Sequence, residues 1–551
     1  MITVAELRAI PLLAEVPDHE LQHLAATVAD IRLQAGEYVA HEGDGGALII
    51  VIEGACEVTK FMDGIERVIG ARNPGDMFGE VPVVLNTPFL ASLRAKVDSR
   101  VIRIETPEYH HLAAASPAVS AKTTASALDR VGGLQDLAAQ KSEPELIIVG
   151  PRWDPKCFEL RDFLQRNQVS FEWHRPEEAE DCTPAELAYR KYPVVKLRDG
   201  AELVQPSRRE VANAVGLSIE PAREEYDVVI VGGGPAGMAA AVYGASEGLH
   251  TVLIERQVPG GQAGQSSRIE NYLGFPVGVS GEELARRAFQ QAKRFGAEII
   301  VTREVKQIDL ATQEIELDGG EHLRARTVIL ALGVAYRRLA VKGGERFTGR
   351  GVFYGAARSE AGSTQGQDIY LIGAGNSAGQ AALFFANHAK TVTLIVRGDS
   401  LAKSMSYYLI EQLKTKANIR VELNSEVIAL YGDEHLEAID VIDRSTGTTT
   451  KRPTPALFVF IGADTDTAWL PPEIARDSHG FVLTGADVVK ANHWTSEGQP
   501  FLLETSVPGI FAAGDIRAGS VKRVAAGVGE GSMAIAFVHQ RLQAKDAVAR
   551  V

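Results

Sequence analysis

Two short stretches constrain this chain more than any others: "YDVVIVGGGPAG", residues 226–237, and "DIYLIGAGNSAG", residues 368–379. Each is an apolar run of the length of one buried strand that passes directly into a glycine-rich turn and a helix start built from small residues. In the first, Gly232 permits the tight turn, Gly234 lets a pyrophosphate approach the backbone N–H groups, and Gly237 lets the following helix pack closely. In the second, Gly373, Gly375 and Ala378 take those places. Downstream of the first, "HTVLIERQ" ends a second strand at Glu255, where a carboxylate can accept hydrogen bonds from a ribose. A glycine turn alone can be purely structural; strand, spacing and acid together point to a dinucleotide. Two such units predict two dinucleotide-binding α/β domains.

Composition narrows the rest. The chain has 551 residues, 45% of them hydrophobic and 23% charged, which is too long for one core and predicts three or four domains. A net charge of −14 argues against nucleic acid, whose phosphates need a concentrated basic surface. The longest apolar runs, such as "LIIVG" and "VILALG", fall far short of the roughly 20 residues that span a bilayer, and no signal pattern opens the sequence. The expectation is a cytoplasmic protein without a membrane partner. Its three cysteines, Cys56, Cys157 and Cys182, include no C-x-x-C pair, so neither a disulfide framework nor a cysteine-rich metal site is expected. His110, His111, His174 and His250 lack further ligand candidates at metal spacing and read as surface or packing residues. No metal is expected.

The chain divides into parts by pattern. "VPDHELQHLAATV" puts Leu21, Leu24, Ala25 and Val28 on one helical face, and short strands with glycine turns follow from Ile31 to Ile104, so residues 1–140 read as an antiparallel β-roll with flanking helices. After the polar "KSEPE", residues 145–218 show β-helix-β order in "ELIIVG", "CFELRDFLQRN" and "PVVKL". "SIEPAREE" leads into the dinucleotide region.

That region resembles bacterial thioredoxin reductases over essentially all of residues 225–545, through "GGQAGQSSRIENYLGFP", "VILALGVAYRRL", "FVFIGADTDT" and "TSVPGIFAAGDIRAGSVKRVAAGVGEG", in that order. The resemblance implies an FAD domain split into residues 225–336 and 464–551, an NADPH domain at 337–463 between them, and a homodimer. It implies FAD contacts at Gly232, Gly234, Pro235, Ala236, Gly237, Glu255, Gly261, Gln262, Asn271, Val305, Gly333 and Gly514. Asp515 would bind the ribityl chain, with helix capping as the alternative. Arg523, Val524 and Ala525 would border the flavin ring at a helix start, whose amides favour negative charge. NADPH would meet Gly373, Gly375, Asn376, Ser377 and Ala378. The next strand ends in "TLIVRGDSLAKS" without an acid for a free 2′-hydroxyl, so Arg397 and Lys403 are left to meet a 2′-phosphate. The family usually has an arginine pair here, and the second position is Gly398.

In this family reduced flavin passes electrons to a C-x-x-C pair, but "GVFYGAARSEAG" puts Gly355 and Arg358 at those positions. Neither can form a disulfide, so a relay within that domain is excluded while hydride transfer to flavin is not. Residues 145–218 resemble a thioredoxin or glutaredoxin fold, with a cis-proline turn expected at Pro193. There the first active-site cysteine is replaced by Asp154, which with Pro155 makes a helix N-cap and first turn. Cys157 is then either an inert residue or the sole thiol of a relay, and a Cys157–Cys182 bridge is open. The β-roll resembles cyclic nucleotide-binding domains, with a possible nucleotide cassette at Gly79, Glu80 and Ser92. The arginine that would hold the cyclic phosphate is Phe89, so a scaffolding role competes with ligand binding. The expected activity is FAD-dependent oxidation of NADPH. Its acceptor is a thioredoxin-like protein, a small disulfide, a ferredoxin or a quinone, with a non-enzymatic redox sensor as the competing reading.

Overall fold

The computed structural model describes residues 2–62, 65–139, 144–167, 169–176, 191–266, 268–355, 361 and 364–549. These residues fall into two compact units, Met1–Glu143 and Pro144–Val551.

The first unit is a roll of two four-stranded antiparallel sheets. The strand Ala47–Glu53 shows why the sequence folds this way. Successive strand side chains point to opposite faces, and both faces here are apolar. Ile49 and Val51 enter the core between the sheets with Phe78 and Leu93, while Leu48 and Ile50 meet the helices on the other side. Leu21 and Leu24 of the helix Asp18–Thr27 are buried in that second core, with Ala25 and Val28 packed against it, as the helical spacing predicts.

The second unit starts with a four-stranded sheet in the order Phe171–His174, Leu146–Val149, Val194–Leu197, Glu202–Val204. The helix Pro155–Arg166 begins at Asp154, whose carboxylate accepts from the Cys157 N–H at 2.8 Å. The peptide bond Tyr192–Pro193 is cis, as expected.

A seven-stranded sheet follows. Four parallel strands, Glu298–Val301, Thr251–Glu255, Glu225–Val231 and His322–Leu330, run side by side from one edge, and the late strand Ile510–Ala512 returns to pair with His322–Leu330. Between those two strands in sequence lies a separate five-stranded parallel sheet, Val352–Tyr354, Leu457–Val459, Asp368–Ile372, Thr391–Ile395 and Ile419–Glu422. The chain crosses between these sheets at Ala335–Tyr336 and Ala463–Asp464, which pair with each other. No described helix is long and apolar enough to cross a membrane.

The helices Pro235–Ser246 and Val524–Ala549 pack closely because small residues line their contact. A β-carbon on Gly531 would lie 2.0 Å from the Ala236 carbonyl oxygen, so any larger residue would drive the helices apart.

Candidate active site

The first glycine turn opens into a cleft of about 660 Å³. Gly232, Gly234, Pro235 and Ala236 line it as expected. Gly232 has φ 107°, and a β-carbon there would lie 2.4 Å from the Ala331 carbonyl oxygen, so the turn requires glycine. Gly237 acts from behind the wall: its missing β-carbon would meet the Gly232 carbonyl oxygen at 1.9 Å. Glu255 is buried at the end of its strand and accepts from the N–H groups of Gly233 at 2.7 Å and Gln257 at 2.8 Å. Its carboxylate reaches the cleft already oriented. Gly261, Gln262, Val305, Gly333 and Gly514 also line the cleft, with the Gln262 amide donating to the Val334 carbonyl.

Asp515 lies in the cleft wall on a short 3-10 turn, Gly514–Ile516, that no side chain caps. Burial pushes its carboxyl above the usual range, Lys522 pulls it back, and Glu530 adds to the rise. Arg523 and Val524 reach the cleft at the start of Val524–Ala549. Glu530 accepts from the Gly514 N–H at 2.7 Å and from Arg517 at 2.6 Å, and so fixes the loop that carries Asp515.

Two expected contacts lie elsewhere. Asn271 is exposed and outside the cleft, because the loop around it folds on itself through paired hydrogen bonds between Ile269 and Val279. Ala525 is exposed one step along its helix, where the helical rotation takes it off the cleft side.

The second glycine turn faces the same cleft. Ser377 lines it, together with Gln380 and Phe460 from the same sheet's surroundings. Gly375 caps its helix without a side chain and has open space around it, while Ala378 is buried in packing. Asn376 is turned to Ser406, accepting from its N–H at 2.7 Å and donating to its hydroxyl at 3.0 Å, so it shapes the turn without lining the cleft. Arg397 is exposed just beyond its strand and outside the cleft. Lys403 is exposed as well and pairs with Asp399 at 2.7 Å.

Gly355 has φ 100°, and a β-carbon on it would lie 2.4 Å from Gln265 Oε1. Gln265 thus occupies the space in which a cysteine side chain would begin, and that oxygen is buried without a hydrogen-bond partner. Tyr336 stands nearby in the cleft wall, its phenol pushed up to about 12 by burial. Arg358 lies outside the described residues.

Cys157 is fully buried, and its sulfur lies where a β-carbon on Gly150 would be, 2.2 Å away. The helix start around it is covered: Phe158 packs on Phe353 with ring centroids 5.6 Å apart, and Trp153 stacks on His435 at 4.7 Å. Cys182, and with it the bridge to Cys157, lies outside the described residues. From the other end of this helix Arg166 lines the cleft and donates to the Gly261 carbonyl at 3.0 Å. Its sequence surroundings carry no signal of that role.

In the first unit the cassette residues are engaged internally. Glu80 is buried and accepts from Ser126 at 3.2 Å and Arg130 at 3.1 Å, and the Ser92 hydroxyl accepts from the Glu42 N–H at 2.9 Å. A β-carbon on Gly79, which has φ 92°, would meet the Ala47 carbonyl oxygen at 2.0 Å. Phe89 is buried and stacked on Phe78 at 5.4 Å. An aromatic ring fills the place expected for the phosphate-binding arginine.

The cleft fits FAD on this structure's own terms: a glycine cradle at a helix start, an oriented strand-end carboxylate, and a half-buried carboxylate in the cleft wall. Residues 226–531 match the family model described as pyridine nucleotide-disulphide oxidoreductase, more than half of the chain. The chain belongs to this family. It is an FAD-dependent oxidoreductase supplied by NADPH. It is 32% identical over 322 residues to the thioredoxin reductase of Bacillus subtilis (strain 168), covering 58% of this chain and 95% of the relative. The crystal structure of Lactococcus lactis thioredoxin reductase in its FR conformation matches with a TM-score of 0.51 and 28% identity, over 57% of this chain and 98% of that one. That of T. acidophilum thioredoxin reductase matches with a TM-score of 0.51 and 29% identity, over 58% and 99%. Residues 30–116 match the model of a cyclic nucleotide-binding domain.

Proposed function

We propose that this reductase delivers electrons from NADPH to an acceptor reduced in the flavin cleft itself, with no internal dithiol between. Bound FAD would supply the two-electron chemistry that links hydride from NADPH to the acceptor. The chain's own residues hold and orient. The N–H groups of Gly234 and Ala236 at the helix start would bind the pyrophosphate, Glu255 a ribose, and Asp515 the ribityl hydroxyls. The start of the helix Val524–Ala549 and the cations of Lys522 and Arg523 favour negative charge at their end of the cleft. The turn at Gly375 and Ser377 receives the phosphates of NADPH, with Arg397 for its 2′-phosphate. Tyr336 keeps its proton at neutral pH and remains a hydrogen-bond donor.

One observation carries the absence of a relay. Gly355 has no thiol, and Gln265 fills the space where one would begin. The buried Cys157 is a poor substitute, since a relay thiol must reach both its donor and its acceptor.

The test is an anaerobic stopped-flow titration followed by a panel of oxidised acceptors: a thioredoxin-like protein, a small disulfide, a ferredoxin and a quinone. NADPH should bleach the flavin band, and at least one acceptor should restore it at the same rate in wild type and Cys157→Ser. Loss of that reoxidation in Cys157→Ser would show an internal thiol relay instead. Bleaching with no turnover on any acceptor would favour a sensor.

A further inference from the structure

We infer that Arg166, supplied by the small four-stranded unit, is a positioning residue of the flavin site. It both braces the turn at Gly261 and places a fixed positive charge on the cleft wall. The inference rests on FAD occupying this cleft.

The side chain of Arg166 is 10% exposed, yet it belongs to a unit with its own sheet and core. It lines the cleft beside Tyr336 and Gln265. One guanidinium nitrogen donates to the Gly261 carbonyl at 3.0 Å, and another lies 3.4 Å from the Asp162 carboxylate. The turn it holds is bound in turn to the first glycine turn, because the Gly260 N–H donates to the Gly233 carbonyl at 2.7 Å. A β-carbon on Gly261 would lie 3.0 Å from Gly234 Cα, so a small displacement of this turn closes or opens the cradle. Val258, just before the turn, is buried in the small unit's core with Leu160 and Phe163. The turn is therefore held by that unit through packing and through the arginine.

The charge has a chemical consequence. A guanidinium stays protonated throughout the working pH range, and in a partly enclosed cleft its field is weakly screened. FAD brings two phosphate charges, and two-electron reduction adds negative charge at the ring. A fixed cation favours both, and Asp162 offsets part of it. The small unit thus contributes to the electron-transfer site through an arginine at the end of its helix, while its cysteine stays buried near the start.

The experiment measures FAD affinity and flavin midpoint potential in the full chain for wild type, Arg166→Gln, Arg166→Lys and Asp162→Asn. Arg166→Gln should bind FAD on the order of tenfold to a hundredfold more weakly, the range for losing a charge-assisted hydrogen bond. Its midpoint potential should move to a more negative value, with Arg166→Lys recovering part of that shift. Asp162→Asn should move the potential the opposite way, a response that loss of bracing alone does not produce, and it remains readable if Arg166→Gln retains no flavin. Wild-type affinity and potential in both Arg166→Gln and Asp162→Asn would overturn the inference while leaving the FAD reading intact. A wild-type protein that takes up no FAD would overturn both.

Discussion

Gly355 has a close neighbour in Gln265, and the pair is where the proposed lack of an internal relay can be tested. The residue sits at φ 100°, a region that disfavours any side chain, and Gln265 Oε1 lies in the space beyond its α-carbon. A cysteine placed there would therefore meet two obstacles. Gly355→Cys should lower stability by about 1–3 kcal/mol, from left-handed backbone strain together with the contact with Gln265. Thermal or urea denaturation of Gly355→Cys beside Gly355→Cys/Gln265→Ala reads out the parts: the second substitution should recover the contact and leave the strain. In the first unit Phe89 also has a close neighbour, its ring stacking on that of Phe78. In both places the residue itself was plain in the sequence. What packs against it was not: Gln265 lies 90 residues from Gly355, and Phe78, though 11 residues from Phe89, meets it only through the way the roll folds.

At the scale of elements, the helix Pro155–Arg166 links the small unit to both nucleotide-binding sheets. Its start lies against Phe353 and His435 beside the five-stranded sheet, and its end reaches Gly261 beside the seven-stranded sheet. The local sequence accounts for the helix itself: Asp154 caps it, Pro155 opens it, and Leu160, Phe163 and Leu164 form its buried face. Its docking depends on two aromatic contacts. Phe158→Ala and Trp153→Ala should each cost about 1–3 kcal/mol, below the range for a fully buried aromatic because both side chains are only partly buried. With the helix start uncovered, Cys157 should be alkylated faster in the native protein, as followed by mass spectrometry of its peptide. An unchanged alkylation rate in both variants would mean that the packing against Gly150, and not the docking, protects the thiol.

At the scale of the second unit, three sheets contribute to one cleft. The seven-stranded sheet supplies the first glycine turn and Asp515, the five-stranded sheet supplies Ser377, and the small unit supplies Arg166. A ligand bound there stabilises all the elements that must be folded to bind it. Adding FAD at a thousandfold excess over its dissociation constant should raise unfolding stability by about 4 kcal/mol. The transition measured by circular dichroism should move to higher temperature together with the one measured by flavin fluorescence. Separate transitions would mean that the cleft forms without one of its three walls.

The sequence by itself determined the parts whose physics is local. Strand, glycine turn and helix start lie within a dozen residues, so both glycine turns, the carboxylate of Glu255 and the lack of any C-x-x-C pair in the chain were legible directly. The burial of both faces of Ala47–Glu53 and the capped helix at Asp154 follow from patterns of similarly short range. Tertiary structure alone decided what meets across long sequence separations. It brought Arg166 to Gly261, 95 residues away, turned Glu80 to Ser126 and Arg130, and took Asn271 away from the cleft. A hydrogen bond between distant residues leaves no periodicity or spacing in the chain, because it depends on how whole elements pack.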